Sequence, residues 1–232
     1  MEARAVELAQ QLQDAANRSP TDRKYILGVS GIPGSGKTTF VHKLVQKVND
    51  NYRKKGATQD IAIAVSMDGY HLPKSALDRM ENPEEMHARR GAHFTFDPDG
   101  ITSLLKKLRD PENQHVTIKA PSFDHAKGDP VDDDIEILPC HKIIIMEGIY
   151  LQLKHPEPWN EIPSYFDDMW YVEVDLDEAR TRTGQRHYQA GLVPSVEAGI
   201  AQFDRNDYIN AQFILTHRDP SVKSITSISE KQ

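Results

Sequence analysis

One stretch constrains this chain more than any other: Gly31-Ile-Pro-Gly-Ser-Gly-Lys37-Thr38, which spells G-x-x-x-x-G-K-[ST]. Its glycines permit a tight bend in which several backbone N–H groups point into one hollow, a nest for phosphate oxygens. Lys37 is placed to reach β- and γ-phosphates as a point charge, and the Thr38 hydroxyl to ligate Mg²⁺. A helix opening near Gly36 aims its positive dipole end at the same hollow. Gly31, Ile32, Pro33, Gly34, Ser35, Gly36, Lys37, Thr38 and Thr39 are therefore the candidate nucleotide-binding residues.

The flanks fit such a loop. Tyr25-Ile-Leu-Gly-Val-Ser30 is a short apolar run of strand type, and Val41, Leu44, Val45 and Val48 follow at helical spacing. Upstream, Ala5, Leu8, Ala9, Leu12, Ala15 and Ala16 form one helical stripe, predicting an amphipathic helix over 2–17 that covers the domain. Downstream, Ile61–Val65, Lys142–Glu147 and Met169–Val174 read as strands, the first two nearly continuous in apolar residues, as strands buried on both faces are. Shorter, more polar strands are predicted at 115–119 and 134–138 around an irregular segment 121–133, and a last strand over 222–229. Helices are predicted after Asp97, over 176–189 and over roughly 195–215, with an ordered loop at 154–164 where three prolines crowd.

Strands alternating with helices predict an α/β chain with a parallel sheet covered on both sides, taken as one domain over 1–232. Ligands of such sheets bind at the carboxyl ends of the strands. The phosphate loop, Asp68 and Glu147 each follow a strand, so they are expected to converge on one rim despite their separation in sequence.

Totals remove several alternatives. A net charge of −7 argues against a nucleic-acid surface. The lone Cys140 leaves no disulfide framework and no thiolate zinc cage, and the histidines show no metal-binding pattern. Apolar runs such as Ile143–Met146 are too short to span a bilayer, and the first residues lack a secretory pattern and carry acids, so the expectation is a cytoplasmic chain without a membrane partner.

Asp68 is placed either to accept a proton from an attacking hydroxyl or to hold Mg²⁺. Glu147 stands where an acid steadies the metal or its waters, and a charge after four apolar positions needs a partner. Arg182 and Arg186, four apart, share a face of an Arg-rich helix that also carries Arg180. A lid over about 176–190 bearing them could neutralise charge during transfer, with Gly184 as a hinge. Tyr70, His71, Arg90, Asp97, Asp124 and His125, with Arg89, fall in segments expected to line an acceptor pocket. For Asp97 a helix cap and a ligand role are both open.

Asp68-Gly-Tyr-His71, Arg90-Gly-Ala-His-Phe-Thr-Phe-Asp97, Pro121-Ser-Phe-Asp124 and Glu147-Gly148, in that order behind the phosphate loop, resemble the P-loop kinases that include uridine kinase, phosphoribulokinase and bacterial-type pantothenate kinase. The likeness runs from about Tyr25 to Arg218 and is nearest to a branch labelled uridine kinase or ATP-dependent kinase. It implies a P-loop NTPase fold of nucleoside-kinase type with a helical lid. It implies ATP and Mg²⁺ as cofactors and phosphorylation of a small-molecule hydroxyl. Asp68 then corresponds to the family's catalytic carboxylate, Glu147 to the acid near the metal, Arg182 and Arg186 to lid arginines, and Asp97 to a position that holds acceptor hydroxyls. Two departures stand out: uridine kinases usually carry Asp-x-Phe-Tyr where this chain has Asp68-Gly-Tyr-His71, and His187 stands where the lid often has Asp. The leading acceptor is a nucleoside such as uridine, ahead of a pantothenate-like alcohol or a sugar.

A regulatory NTPase is the competing class. A guanine switch needs Asn-Lys-x-Asp, which is missing, and the D-x-x-G at Asp97–Gly100 follows no buried strand. A cassette-type signature such as Ser-Gly-Gly is missing as well.

Overall fold

The computed structural model describes residues 2–20 and 23–227. The helices are α1 (Glu2–Arg18), α2 (Lys37–Lys54), α3 (Lys74–Leu77), α4 (Pro83–Ala88), α5 (Pro98–Arg109), α6 (Leu176–Gln189), α7 (Val196–Arg205) and α8 (Asp207–His217). The strands are β1 (Tyr25–Ser30), β2 (Ala62–Ser66), β3 (Ile118–Asp124), β4 (Asp129–Ile137), β5 (Ile143–Glu147), β6 (Asp168–Glu173) and β7 (Lys223–Thr226).

Five of the strands form one parallel sheet in the order β2-β5-β1-β6-β7. The strands' apolar residues alternate between its two faces. Tyr25, Leu27 and Val29 of β1, with Ile143 and Ile145 of β5 and Trp170 and Val172 of β6, meet α1 and α2 on one side. Ile26, Ile144, Met146 and Tyr171 pack on the other side, against Ile101, Leu104, Leu105 and Leu108 of α5. Both faces are dry, which is why β1 and β5 read as unbroken apolar runs.

The register sets the site. Val29 pairs with Glu147, and Ser66 pairs with the same Glu147 from the other side. The ends of β1, β5 and β2 therefore stand level, and the chain leaves each of them on one rim. No helix of the described residues is long and apolar enough to cross a membrane.

Several sequence expectations change in the structure. The segment expected to be irregular at 121–133 belongs to a β3–β4 antiparallel hairpin, with a register shift between Ala120 and Ser122. Its acids Asp132, Asp133 and Asp134 are exposed, so the usual apolar alternation is muted. The helix expected over 195–215 breaks at Asn206 into α7 and α8. The proline-rich loop ends in a 3₁₀ turn, Trp159–Tyr165, that buries Trp159 and Ile162. The last strand is shorter than expected, and 228 and 229 lie outside the described residues.

Gly184 is not a hinge. It sits inside an unbroken α6, where a Cβ would meet Ile200 Cγ1 at 2.6 Å. A Cβ on Gly199 of α7 would meet the Gly184 carbonyl oxygen at 2.5 Å. The two glycines let the backbones of α6 and α7 touch, so these helices move, if they move, as one piece.

Candidate active site

The phosphate loop leaves β1 and turns into α2 with Gly34 and Gly36 both in left-handed conformation, at φ 79° and 84°. A side chain at Gly34 would also strike α6, because its Cβ would lie 2.5 Å from both the Ala179 carbonyl oxygen and Thr183 Oγ1. Helix α6 thus packs directly on the loop. Two hydroxyls there, Ser35 Oγ and Thr183 Oγ1, are buried with no hydrogen-bond partner among the described residues. Buried polar atoms are rarely left so, and their placement fits a loop made to take phosphate oxygens.

Four residues from three segments connect at the rim. Thr38 Oγ1 donates to Glu147 Oε1 at 3.2 Å, and Ser66 Oγ donates to the same oxygen at 2.9 Å. Ser66 Oγ in turn accepts from the Asp68 backbone N–H at 3.2 Å, capping the 3₁₀ turn Met67–Tyr70 that carries Asp68. Glu147 is buried, whereas the Asp68 side chain is partly open. The acids owe their placing to the glycines after them. A Cβ on Gly148 would meet Met67 Cβ at 2.4 Å, and one on Gly69 would meet the Pro121 carbonyl oxygen of β3 at 2.3 Å. No group of three His, Cys, Asp or Glu forms a closed metal cage among the described residues. The donor set of Thr38, Glu147 and Asp68 instead suits Mg²⁺, which keeps water and phosphate oxygens in its shell.

His71 closes one side. Its Nδ1 lies 2.9 Å from the Asp68 carbonyl oxygen, and its ring sits 3.9 Å from that of Phe96 and 4.8 Å from that of Phe123. Burial holds this imidazole below its ordinary pKa, against the opposing pull of Asp68. Burial likewise raises the Tyr70 phenol, and Asp97 adds to that rise.

The other sequence candidates have structural partners. Asp97 caps α5, accepting from the Gly100 N–H at 2.9 Å. Arg90 clamps the hairpin, donating to the carbonyl oxygens of Gly128 and Leu72 and to Asp129 Oδ1 at 2.8 Å. Arg89 joins Asn206 Oδ1 at 2.9 Å and Asn210 Oδ1 at 3.0 Å. Asp124 folds its carboxylate onto its own turn, accepting from Ala126 N at 2.9 Å and Lys127 N at 3.1 Å, and His125 beside it is exposed.

The arginines of α6 divide. Arg182 lies over the loop: its Nη1 would be 3.9 Å from a Cβ on Gly36, and it donates to Ser227 Oγ at 2.8 Å and to Glu178 at 2.6 Å. Burial raises the Asp207 carboxyl at the start of α8 to about 6, and the charges of Arg186 and Lys37 oppose that rise. Arg180 pairs with Asp204 through two 2.6 Å bonds on the surface. Ser66, Thr183 and Asp207 carry no sequence signal of their own. Ser66 stands two residues before Asp68, but nothing local says that its hydroxyl turns to Glu147.

The family model described as "Phosphoribulokinase / Uridine kinase family" matches residues 26–188. The chain is similar to a Schizosaccharomyces pombe protein named "Putative uridine kinase C227.14", 40% identical over 195 residues, covering 83% of this chain and 78% of that one. It is 43% identical over 155 residues to the Aspergillus versicolor "ATP-dependent kinase-like protein notR'", covering 66% of this chain and 90% of that one. Among solved structures it resembles a "putative fructose transport system kinase" from Silicibacter sp. TM1040, at 27% identity and TM-score 0.80, over 95% of this chain and 98% of that one.

Proposed function

The chain belongs to the phosphoribulokinase / uridine kinase family, and on that premise we propose that it transfers phosphate from ATP to a hydroxyl of a small molecule, a nucleoside such as uridine being the leading acceptor. The observation that carries this reading is the bonded row Thr38–Glu147–Ser66–Asp68, which joins the phosphate loop to the turn that bears the partly open Asp68 carboxylate on one rim.

ATP with Mg²⁺ supplies the activated phosphoryl group. Residues Gly31–Thr39 cradle its phosphates, and Thr38 with Glu147 steadies the metal and its waters. Asp68 accepts the proton of the acceptor hydroxyl. Lys37, Arg182 and Arg186 offset the charge spread over the transferred group. His71, kept neutral by its burial, walls the pocket beside Asp68 together with Phe96 and Phe123. An uncharged aromatic wall of this kind suits a base or a sugar ring. Arg89 and Arg90 are engaged by Asn206, Asn210 and the hairpin, which favours an uncharged acceptor over an anionic, pantothenate-like one.

The test is acceptor-dependent release of ADP. Nucleosides, sugars and pantothenate are each added to the protein with ATP and Mg²⁺. Turnover that rises at least tenfold with one acceptor class supports the reading. Equal ATP consumption with and without every acceptor would point instead to a regulatory NTPase.

A further inference from the structure

Three consecutive residues near the middle of α6 dock on three different elements. Arg182 donates to Ser227 Oγ, just past β7, at 2.8 Å. Gly184 lies against α7, where a Cβ on it would meet the Ile200 backbone N at 3.0 Å and the Val196 carbonyl oxygen at 3.1 Å. Thr183, between them, faces the phosphate loop: a Cβ on Gly34 would lie 2.5 Å from its Oγ1. Thr183 is 1% exposed, and its hydroxyl has no hydrogen-bond partner among the described residues.

An unmet hydroxyl is unusual inside a helix, because a threonine there can return its hydroxyl to the carbonyl four residues back. Thr181 of the same helix does so, donating to the Asp177 carbonyl oxygen at 2.9 Å, and Thr216 of α8 does so to that of Gln212 at 2.8 Å. For Thr183 the corresponding carbonyl is that of Ala179. It lies at the same 2.5 Å from a Cβ on Gly34, and the bond is not made. The hydroxyl is turned to the loop instead, and the contact of Gly184 with α7 keeps it there. A buried hydroxyl without a partner costs stability, and the cost is recovered when an acceptor arrives. The hollow of such a loop is lined by backbone donors, and the acceptors that enter it are phosphate oxygens.

We propose that Thr183 is a nucleotide-binding residue contributed by α6: its hydroxyl stays without a partner in the empty protein and donates to a phosphate oxygen when a nucleotide occupies the loop. The inference rests on the nucleotide reading of the phosphate loop. Thr183 lies about 150 residues beyond the loop's own signature, and it reaches the loop only because Gly34 has no side chain to keep α6 away. The cost of the unmet bond falls on the empty state and the gain on the loaded one, so the two states respond in opposite directions when the hydroxyl is removed.

Thr183→Val exchanges the hydroxyl for a methyl of similar size. Both side chains are β-branched, so helix preference and packing are closely matched. Thr183→Ser keeps the hydroxyl and drops the methyl. Wild type and both variants are melted without nucleotide and titrated calorimetrically with Mg²⁺ and a non-hydrolysable ATP analogue. Without nucleotide, Thr183→Val is expected to melt at or above the wild-type temperature. Its affinity for the analogue is expected to fall by about 10–100-fold, the range of one hydrogen bond to a charged acceptor. Thr183→Ser is expected to bind as wild type does.

Equal affinity of Thr183→Val and wild type would overturn the proposal. So would a Thr183→Ser protein that binds as weakly as Thr183→Val, since the shape of the side chain and not its hydroxyl would then be responsible. A lower Tm for Thr183→Val without nucleotide would show that the hydroxyl already has a partner in the empty protein, and would overturn it too. Failure of wild type itself to bind the analogue would overturn the nucleotide reading of the loop, and this role with it.

Discussion

The Thr38 hydroxyl donates a 3.2 Å hydrogen bond to Glu147 Oε1 across 109 residues of sequence. One residue begins the helix behind the phosphate loop and the other ends the strand beside it, so the bond measures how well the sheet register serves the site. Ser66, on the strand at Glu147's other side, donates to the same oxygen at 2.9 Å, so the acid is held from two flanks.

Glu147→Gln keeps the size of the side chain and removes its charge. The expected outcome is a folded protein whose Mg²⁺ requirement rises by roughly tenfold or more, because a neutral amide holds the metal's waters less well. Titrating Mg²⁺ at saturating ATP checks it. An unchanged Mg²⁺ curve would remove Glu147 from the metal's surroundings.

Asp68→Asn tests the base. Its carboxylate is not part of the hydrogen-bonded row, which reaches only its backbone N–H, so the variant should fold and retain ATP binding. Transfer should fall by about 10²–10⁴-fold, the range lost with a general base. Near wild-type kcat with an identified acceptor would exclude Asp68 from that role. Lys37→Ala, by contrast, should lose both nucleotide affinity and turnover.

Gly199→Ala tests the crossing of α6 and α7. The new Cβ would sit 2.5 Å from the Gly184 carbonyl oxygen, and backbone cannot step aside as a flexible side chain can. Separating the helices should cost about 1–3 kcal/mol, visible as a drop of several degrees in Tm. It should also raise the KM for ATP, since α6 rests on Gly34 of the loop. A variant with unaltered Tm and KM would show that the contact is dispensable.

Lys24 makes a pH prediction at the opposite end of the sheet. It is buried, and its Nζ donates to the carbonyl oxygens of His141 at 2.8 Å and Leu138 at 3.2 Å. Burial first, then the charge of Lys142, lowers its pKa from 10.5 to about 8. The folded state therefore binds this proton less readily than the unfolded chain. Between about pH 8 and 10.5 the unfolded chain is protonated and the folded one is not, so stability rises with pH in that window. The neutral amine still has a donor for each carbonyl. Thermal melts of wild type and Lys24→Met from pH 7 to 10 should diverge in favour of wild type as pH rises. Parallel curves would contradict the shift.

Parts of this molecule that obey local rules were legible before any coordinates. The glycine–lysine signature, the apolar runs of β1 and β5 and the stripe of α5 each encode their own conformation within a few residues. The elements that escaped are those whose cause lies elsewhere in the chain. The β3–β4 hairpin carries exposed acids on one face because it rests on the turn around Asp68 with the other, so its alternation is faint. The break at Asn206 exists because Arg89 and Arg90 hold that residue, and Gly184 interrupts nothing because Gly199 lies against it.

The sequence by itself determined that a phosphate loop follows a buried strand and that acids stand at the ends of two others. Only the tertiary structure decided that β5 runs between β1 and β2, which brings Thr38, Glu147, Ser66 and Asp68 into one bonded row, and that Gly184 and Gly199 bring α6 and α7 into backbone contact. The physical reason is that a residue's backbone preferences are set by its near neighbours, whereas strand order and helix docking are set by which apolar faces can be buried together. Contacts across a hundred residues are a product of that packing and leave no mark on either segment alone.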